Sequence, residues 1–369
     1  MITRFYVDNY KCLVNFEYKP KPFELIIGAN GSGKTTVFEA LNKLREFIVG
    51  DRKVEELFSR DSRTRWDTRE EQRFELDFTS KDNILIRYLL VVDHSFDQAR
   101  VKFENFYLSS SAWIESQLVD TDNASTEAFI PLREARQLMG GQETVFPVSN
   151  PSFTIMKTGM GGFIYSYLRR VRFFRLQTEA MSSLVVEGEN EPTPSLSNFA
   201  SYYSHLLQEN QGSVFNLVSD LREVLIGLDQ FALPLTNQGA RKLMAVMNQP
   251  KKNTRFAFDE LSDGQRALIA LYMLIHCTLK EGTTLLIDEP ENYVSMRELQ
   301  PWLMTLEDKA EETGGQVILI SHNPEIVNML APERAILFER NDGGPVTVRP
   351  FEAAAYLTLA ETIARGWES

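Results

Sequence analysis

The chain has 369 residues, of which 43% are hydrophobic and 24% charged, values that fit a folded protein with a large core and exclude a disordered or collagen-like chain. Its 39 Lys and Arg stand against 51 Asp and Glu, a formal charge of −12. A protein that coats nucleic acid over its whole surface would be basic, so any such contact must come from a local patch or from a partner.

The first segment with chemical content is Leu25-Ile26-Ile27-Gly28-Ala29-Asn30-Gly31-Ser32-Gly33-Lys34-Thr35-Thr36. It matches G-x-x-x-x-G-K-[ST]. An apolar run ending at Ile27 reads as a buried strand, and Val37 to Leu44 reads as an amphipathic helix. Glycines in the turn let backbone N–H groups of Asn30, Gly31, Ser32, Gly33 and Thr36 face phosphates, with the helix N-terminus adding a favourable dipole. Lys34 is expected to reach the β- and γ-phosphates, and Thr35 to hold Mg²⁺. The spacing therefore predicts a nucleoside triphosphate site.

Residues 60–69 carry Arg60, Arg63, Arg65 and Arg69 alternating with acids, the pattern of a solvated loop. Gln72 to Phe78, Ile84 to Val92 and Arg100 to Leu108 then read as three strands of an antiparallel sheet. Val171-Arg172-Phe173-Phe174-Arg175-Leu176-Gln177 is an apolar strand ending in Gln. Phe199 to Gln208 and Val214 to Leu228 have helical spacing, so residues 181–254 are expected to form a mainly helical insertion. Residues 187–194, with two prolines and three glutamates, read as an exposed loop. No heptad pattern is long enough for a coiled-coil arm.

Near the C-terminal third, Leu261-Ser262-Asp263-Gly264-Gln265-Arg266 precedes an apolar helix that runs to Leu279. A Ser-x-Gly-Gln turn at a helix start is an anion-binding device, and also an ordinary N-cap. Twenty-two residues after Ser262, Thr284-Leu285-Leu286-Ile287-Asp288-Glu289-Pro290 reads as a buried strand ending in two acids. Asp288 suits the Mg²⁺ shell, and Glu289 suits a general base acting on water. A further buried strand, Val317 to Ile320, ends in Ser321-His322-Asn323.

The order of these motifs resembles that of ABC-type ATPases, with Asp263 in place of the first glycine of the L-S-G-G-Q signature. The opening Phe5-Tyr6-Val7-Asp8-Asn9-Tyr10-Lys11-Cys12 is similar to the first strand and turn of SMC/RecF-like ATPases. Asp288-Glu289-Pro290-Glu291-Asn292 resembles the D-E-P-E stretch of compact ATPases related to the overcoming-lysogenisation-defect (OLD-like) group, and Leu196 to Ala200 is similar to a segment of the same proteins. Where many of those relatives carry Leu-His-Pro after the acids, this chain has Tyr293-Val294-Ser295.

The resemblance implies an α/β fold: a P-loop NTPase with a two-lobed ABC-type head, a mostly parallel central sheet, a flanking antiparallel sheet and a helical insertion. Residues 1–180 and 255–369 would form the head. The cofactors implied are ATP and Mg²⁺, and the activity is ATP hydrolysis. The implied assembly is a homodimer in which Ser262, Asp263, Gly264 and Gln265 of one copy close on the nucleotide of the other. Asn292 to Ser295 would be the dimer-crossing loop. His322 would contact the γ-phosphate, and a glutamine would sense Mg²⁺ and water. Gln177 and Gln142 are the two candidates for that glutamine. Resemblance also implies a separately encoded effector, a nuclease or toxin, in bacterial defence against phage; a DNA-maintenance head and a transporter motor are the alternatives.

Two basic clusters stand out, Arg169, Arg170, Arg172 and Arg175, and Arg241, Lys242, Lys251, Lys252 and Arg255. Each reads either as a solvated, paired face or as a nucleic-acid or partner surface. Tyr165, Tyr167, Phe173 and Phe174 are expected in the core. No Cys/His metal spacing is present, and the residues after His322 are too few for an appended nuclease. The longest apolar stretch, Leu268 to Leu279, falls short of the roughly 18 residues of a membrane span, and the first residues show no apolar leader. Cys12 and Cys277 cannot make a disulfide framework, so a reducing cytoplasm is the expected setting.

Overall fold

The computed structural model describes residues 1–50, 52–79, 85–109, 130–131, 160–237, 239–248, 253–331 and 333–351. Gln142, Lys251, Lys252 and the last residues, 352–369, lie outside these. The chain forms two compact units, one from Met1–Val171 with Arg334–Glu352 and one containing Arg172–Glu333. Residues 181–254 and the acid strand lie in the same unit.

In the first unit, β1 (Ile2–Asp8) pairs antiparallel with β2 (Phe16–Tyr18). The next elements are β3 (Phe23–Ile27), α1 (Lys34–Val49) and α2 (Val54–Leu57). The antiparallel sheet continues through β4 (Glu71–Thr79), β5 (Leu85–Asp93), β6 (Arg100–Ser109) and β7 (Ile130–Pro131), in the order β2-β1-β4-β5-β6-β7. Three of these strands are the ones the alternation predicts, within a residue or two at each end. α3 (Met160–Leu168) completes this part. Tyr167 stacks on Phe78 at 4.2 Å, and Phe174 is buried, whereas Tyr165 and Phe173 are only half-buried.

The loop of residues 59–70 is held far more firmly than a solvated loop. Asn9, at φ 60°, donates from Nδ2 to the carbonyls of Arg69 and Glu71 and accepts from the Thr64 N–H. The Gln72 amide donates to the Asn9 carbonyl and pairs with buried His94 at 2.8 Å. Burial pushes the His94 imidazole down to about 4, so at neutral pH it is uncharged and donates to Gln72 Oε1. Arg69 is gripped by Asp8 and Asp67. Arg69 is thus an internal partner, while Arg60 and Arg65 are exposed.

The second unit begins with β8 (Val171–Phe174), then α4 (Phe199–Glu209) and α5 (Gln211–Val224). The helical spacing suggested that the second helix runs to Leu228. It stops at Val224 because Gly227 takes φ 87° and Leu228 opens a strand. That strand, β9 (Leu228–Ala232), pairs with β10 (Met244–Met247), which pairs with β11 (Thr254–Ala257). Residues 181–254 thus carry the two expected helices and, in addition, most of a three-stranded antiparallel sheet. Phe199 stacks flat on Phe258 at 4.4 Å, fixing α4 to the segment before the next helix.

That helix, α5's packing neighbour α6 (Asp263–Met273), is followed by a π-turn, Leu274–Thr278, where His276 meets Asp220 at 2.8 Å. β12 (Thr284–Asp288) and β13 (Gln316–Ile320) are parallel, buried at every position, and joined by α7 (Met296–Thr313). β8 lies beside β12. After α8 (Pro324–Leu330) the chain returns to the first unit as β14 (Ala335–Arg340) and β15 (Val346–Pro350). There β14 runs parallel to β3 and antiparallel to β15. Among the described residues no helix is long and apolar enough to cross a membrane.

On the antiparallel sheet, Tyr88 donates to Glu104 Oε1 at 3.0 Å, and burial pushes the Glu104 carboxyl up to about 7. The folded chain then binds a proton that the unfolded chain, with the ordinary value of 4.5, releases. Stability contributed here falls as pH rises from about 4.5 to 7. Glu104→Gln should leave stability unchanged at pH 4 and raise it at pH 8 by at most about 3 kcal/mol, read from urea denaturation at both pH values. Equal effects at the two pH values would refute the assignment.

Candidate functional site

Candidate site residues occur in each unit. In the first unit β3 is fully buried and delivers the chain to Gly28, at φ 150°, directly against β14. A Cβ there would stand 2.2 Å from the Phe338 carbonyl oxygen, so only glycine lets strand and loop meet. Gly33, at φ 95°, is the N-cap of α1 and has no side-chain cap; a Cβ there would meet Val346 at 2.5 Å. A helix start of this kind, with its dipole, suits an anion. The Lys34 side chain is buried, and its ammonium donates to the carbonyls of Gly28 (2.8 Å) and Ala29 (2.9 Å) within the loop. Asn30, Gly31 and Thr35 are exposed, Ser32 is buried and Thr36 half-buried. Tight glycines, an uncapped helix start and a cation curled into the turn fit a polyphosphate.

In the second unit the two parallel strands end side by side, with Asp288 opposite Ile320. Asp288 is buried. Glu289 extends the pairing by one hydrogen bond, from its N–H to the Ile320 carbonyl (2.9 Å), and turns away at φ 54°. A left-handed conformation is uncommon for a non-glycine residue and marks a position held by its surroundings. Glu289 Oε2 accepts from Asn292 Nδ2 at 3.1 Å, and His322 Nε2 stands 3.8 Å from Glu289 Oε1. Glu291 Oε1 accepts from Ser321 Oγ (2.6 Å) and from the His322 N–H (3.1 Å). Burial, reinforced weakly by the Glu289 charge, pushes the Glu291 carboxyl upward.

The strand before Gln177 also reaches this centre, through a different residue. The Arg175 guanidinium lies 3.4 Å from Glu289 Oε2 and 3.8 Å from Asp288 Oδ2. Gln177 is exposed, its N–H bound to the Ser195 carbonyl, and it opens the short turn Thr178–Ala180. Sequence reasoning missed Arg175 as a site residue; its place two residues before the candidate glutamine was the available signal. The first basic cluster is accordingly drawn inward in this unit, with Arg172 paired to Glu191 at 2.7 Å. In the second cluster Lys242 stands 3.7 Å from Asp259, while Arg255 is exposed.

The signature segment starts α6. Ser262 Oγ accepts from the Gln265 N–H and the Gln265 side chain returns a contact to the Ser262 N–H, a capping box. Asp263 accepts from Thr178 Oγ1 (2.8 Å) and pairs with Arg266 (2.7 Å). Gly264 packs so closely on the loop after the acids that a Cβ would stand 2.8 Å from the Tyr293 carbonyl oxygen. Tyr293, at φ 72°, reaches Glu179 with its hydroxyl at 3.4 Å. Within this unit the residues of the signature, the acids and the histidine are thus linked through one loop, residues 289–295. Among the described residues no group of three or more His, Cys, Asp or Glu side chains is placed to hold a metal ion.

Comparison with known proteins agrees with this division. Residues 1–133 match the family model "AAA ATPase domain", and residues 161–328 match "AAA domain, putative AbiEii toxin, Type IV TA system". Among solved structures the chain resembles the SMC head domain from Thermotoga maritima, at 12% identity over 95% of this chain and 99% of that one, TM-score 0.47. It also resembles the SMC head bound to the C-terminal winged-helix domain of ScpA, at 15% identity over 95% and 98%, TM-score 0.50. No curated protein matches in sequence. The matched models describe AAA-type ATPase domains, and the fold is that of a P-loop NTPase similar to an SMC head.

Gly264→Ala should force the Tyr293 carbonyl away and destabilise the protein by about 1–3 kcal/mol. Ser262→Ala, which removes only a cap, should cost about 1 kcal/mol. Denaturant melts of both variants check the order; an alanine at 264 with parental stability would refute the close approach.

Proposed function

We propose that this ATPase is a nucleotide-driven switch that dimerises around two molecules of MgATP, and that it acts in bacterial defence through a separately encoded effector. Lys34 and the backbone of residues 30–36 hold the triphosphate, and Thr35 and Asp288 hold Mg²⁺, which when bound offsets phosphate charge. Glu289 takes a proton from water as the water oxygen bonds to the γ-phosphorus and the bond to ADP breaks. His322 and Gln177 orient that water. Ser262, Asp263, Gly264 and Gln265 of the partner copy cap the γ-phosphate, so closure depends on contacts that ADP cannot make. The loop Asn292 to Ser295 crosses the dimer.

The observation that carries this reading is the gathering of Glu289, Asn292 and His322 at the ends of two parallel strands, a base beside a candidate phosphate sensor. The effector rests on the resemblance of the D-E-P-E stretch and on the toxin–antitoxin description of the family model over residues 161–328. The solved SMC head carries a partner protein, ScpA, which favours protein partnership as a mode for this fold. Direct DNA binding is the lesser reading. Arg172, Arg175 and Lys242 already face carboxylates, which withdraws these three from phosphate binding. The setting we propose is the cytoplasm.

Glu289→Gln should bind ATP, hydrolyse it at least 100-fold more slowly and accumulate as a dimer by light scattering, whereas Lys34→Ala should stay monomeric. Parental hydrolysis by Glu289→Gln would sink the base assignment. Tagged Glu289→Gln, recovered from its native host in MgATP, should bring a nuclease or toxin-like chain that is lost when Lys34 is also replaced. DNA without protein would favour the maintenance reading, and an integral membrane protein would overturn both.

A further inference from the structure

The backbone pairing that aligns the two catalytic strands ends at one bond, from the Glu289 N–H to the Ile320 carbonyl. Beyond it Glu289 turns left-handed and the two chains diverge. His322 lies two residues past that last bond. Its imidazole stands 3.8 Å from Glu289 Oε1, longer than a hydrogen bond and within ion-pair reach only for a protonated ring. What holds the His322 backbone toward the acid loop is Glu291. One carboxylate oxygen, Oε1, accepts from both Ser321 Oγ and the His322 N–H. Its other oxygen is turned inward, away from solvent, and makes no hydrogen bond. A carboxyl that only needed solvation would not be placed so; this one spans the gap between two strand ends.

We infer that Glu291 is a positioning residue of the hydrolytic centre: by clamping Ser321 and the His322 N–H it sets where the imidazole stands relative to the Glu289 carboxylate. The inference rests on the proposed roles of Glu289 and His322. The acceptor is one oxygen receiving two donors on the same short segment, so it fixes both the height and the rotation of that segment. A side chain one methylene shorter cannot reach the same two donors without moving the loop. A displacement of about 1 Å at such a centre is enough to lower a rate by on the order of 100-fold while leaving ground-state binding intact. Glutamine keeps an acceptor oxygen at the same reach and preserves the clamp; alanine abolishes it.

The test compares Glu291→Ala, Glu291→Asp and Glu291→Gln in the full chain, with Lys34→Ala as the nucleotide-binding control. Three quantities are read: kcat, affinity for a fluorescent ATP analogue, and the imidazole resonances of ¹⁵N-histidine-labelled protein. The sequence has 4 histidines, so His322 is assigned by its own replacement. Alanine and aspartate should lower kcat 10- to 100-fold with analogue affinity within twofold of the parent, and should shift the His322 resonances alone. Glutamine should keep kcat within about threefold and leave His322 in place. Unmoved His322 resonances in Glu291→Ala, or parental kcat in that variant, would overturn the inference. So would losses of equal size in alanine and glutamine. Should the alanine variant fail to fold, the aspartate and glutamine pair decides by the same readings. If the parent hydrolyses no ATP, the proposed function fails, and the resonance shifts still decide whether Glu291 positions His322.

Discussion

The candidate hydrolytic centre depends on the parallel pairing of Thr284–Asp288 with Gln316–Ile320. Both strands are buried on both faces, so neither can slip by a residue without turning its apolar set against the wrong layer. That register places Asp288 and Ile320 opposite one another and brings the two following loops out together. These loops carry the left-handed turn at Glu289, the Asn292 amide on its carboxylate, and the Glu291 clamp on Ser321 and His322, while Arg175 comes in from the end of β8. The strain at Glu289 is tolerated because the rigid strand before it and the loop contacts after it leave no other path.

Much of this was legible in the sequence because it is local. The strand–turn–helix around Gly28 to Thr35 follows from an apolar run, glycines at the turn and a helical stripe. The three strands of the antiparallel sheet follow from alternation. What periodicity could not supply is pairing across sequence distance. Residues 181–254 contain two helices at the expected places, but β9, β10 and β11 are short strands of four or five residues whose pattern is too brief to separate from loop. The end of α5 was overrun because the apolar spacing continues to Leu228 while Gly227 breaks the helix.

The same limit applies to charges. The alternating arginines of residues 60–69 have the composition of a solvated loop, yet Arg69 is fixed by Asp8, 61 residues earlier, and by Asp67. Arg175 sits in a basic cluster by sequence and at the acid pair by structure, 114 residues from Glu289. A run of like charges says that neutralising partners are needed; it does not say whether they are phosphates or carboxylates. In this acidic chain carboxylates are abundant, and several of the arginines have found them.

Asp263 shows how an acid can stand where a signature glycine is expected. At the first turn of α6 a carboxylate is favoured by the helix dipole, but there it competes with any anion for the same positive end. Here Arg266 and Thr178 Oγ1 draw the Asp263 carboxylate to the side. Arg266 also donates to the Thr178 carbonyl at 2.7 Å, so the turn that follows Gln177 and the start of α6 are bound by two contacts. A motion of that turn must carry the signature segment with it. Through Gly264 against Tyr293, the same motion reaches the loop that holds Glu289 and Glu291. The departure from the glycine of the resembled motif therefore replaces a permissive backbone position with a charged tie, and couples this helix start to the loop 289–295 within one unit.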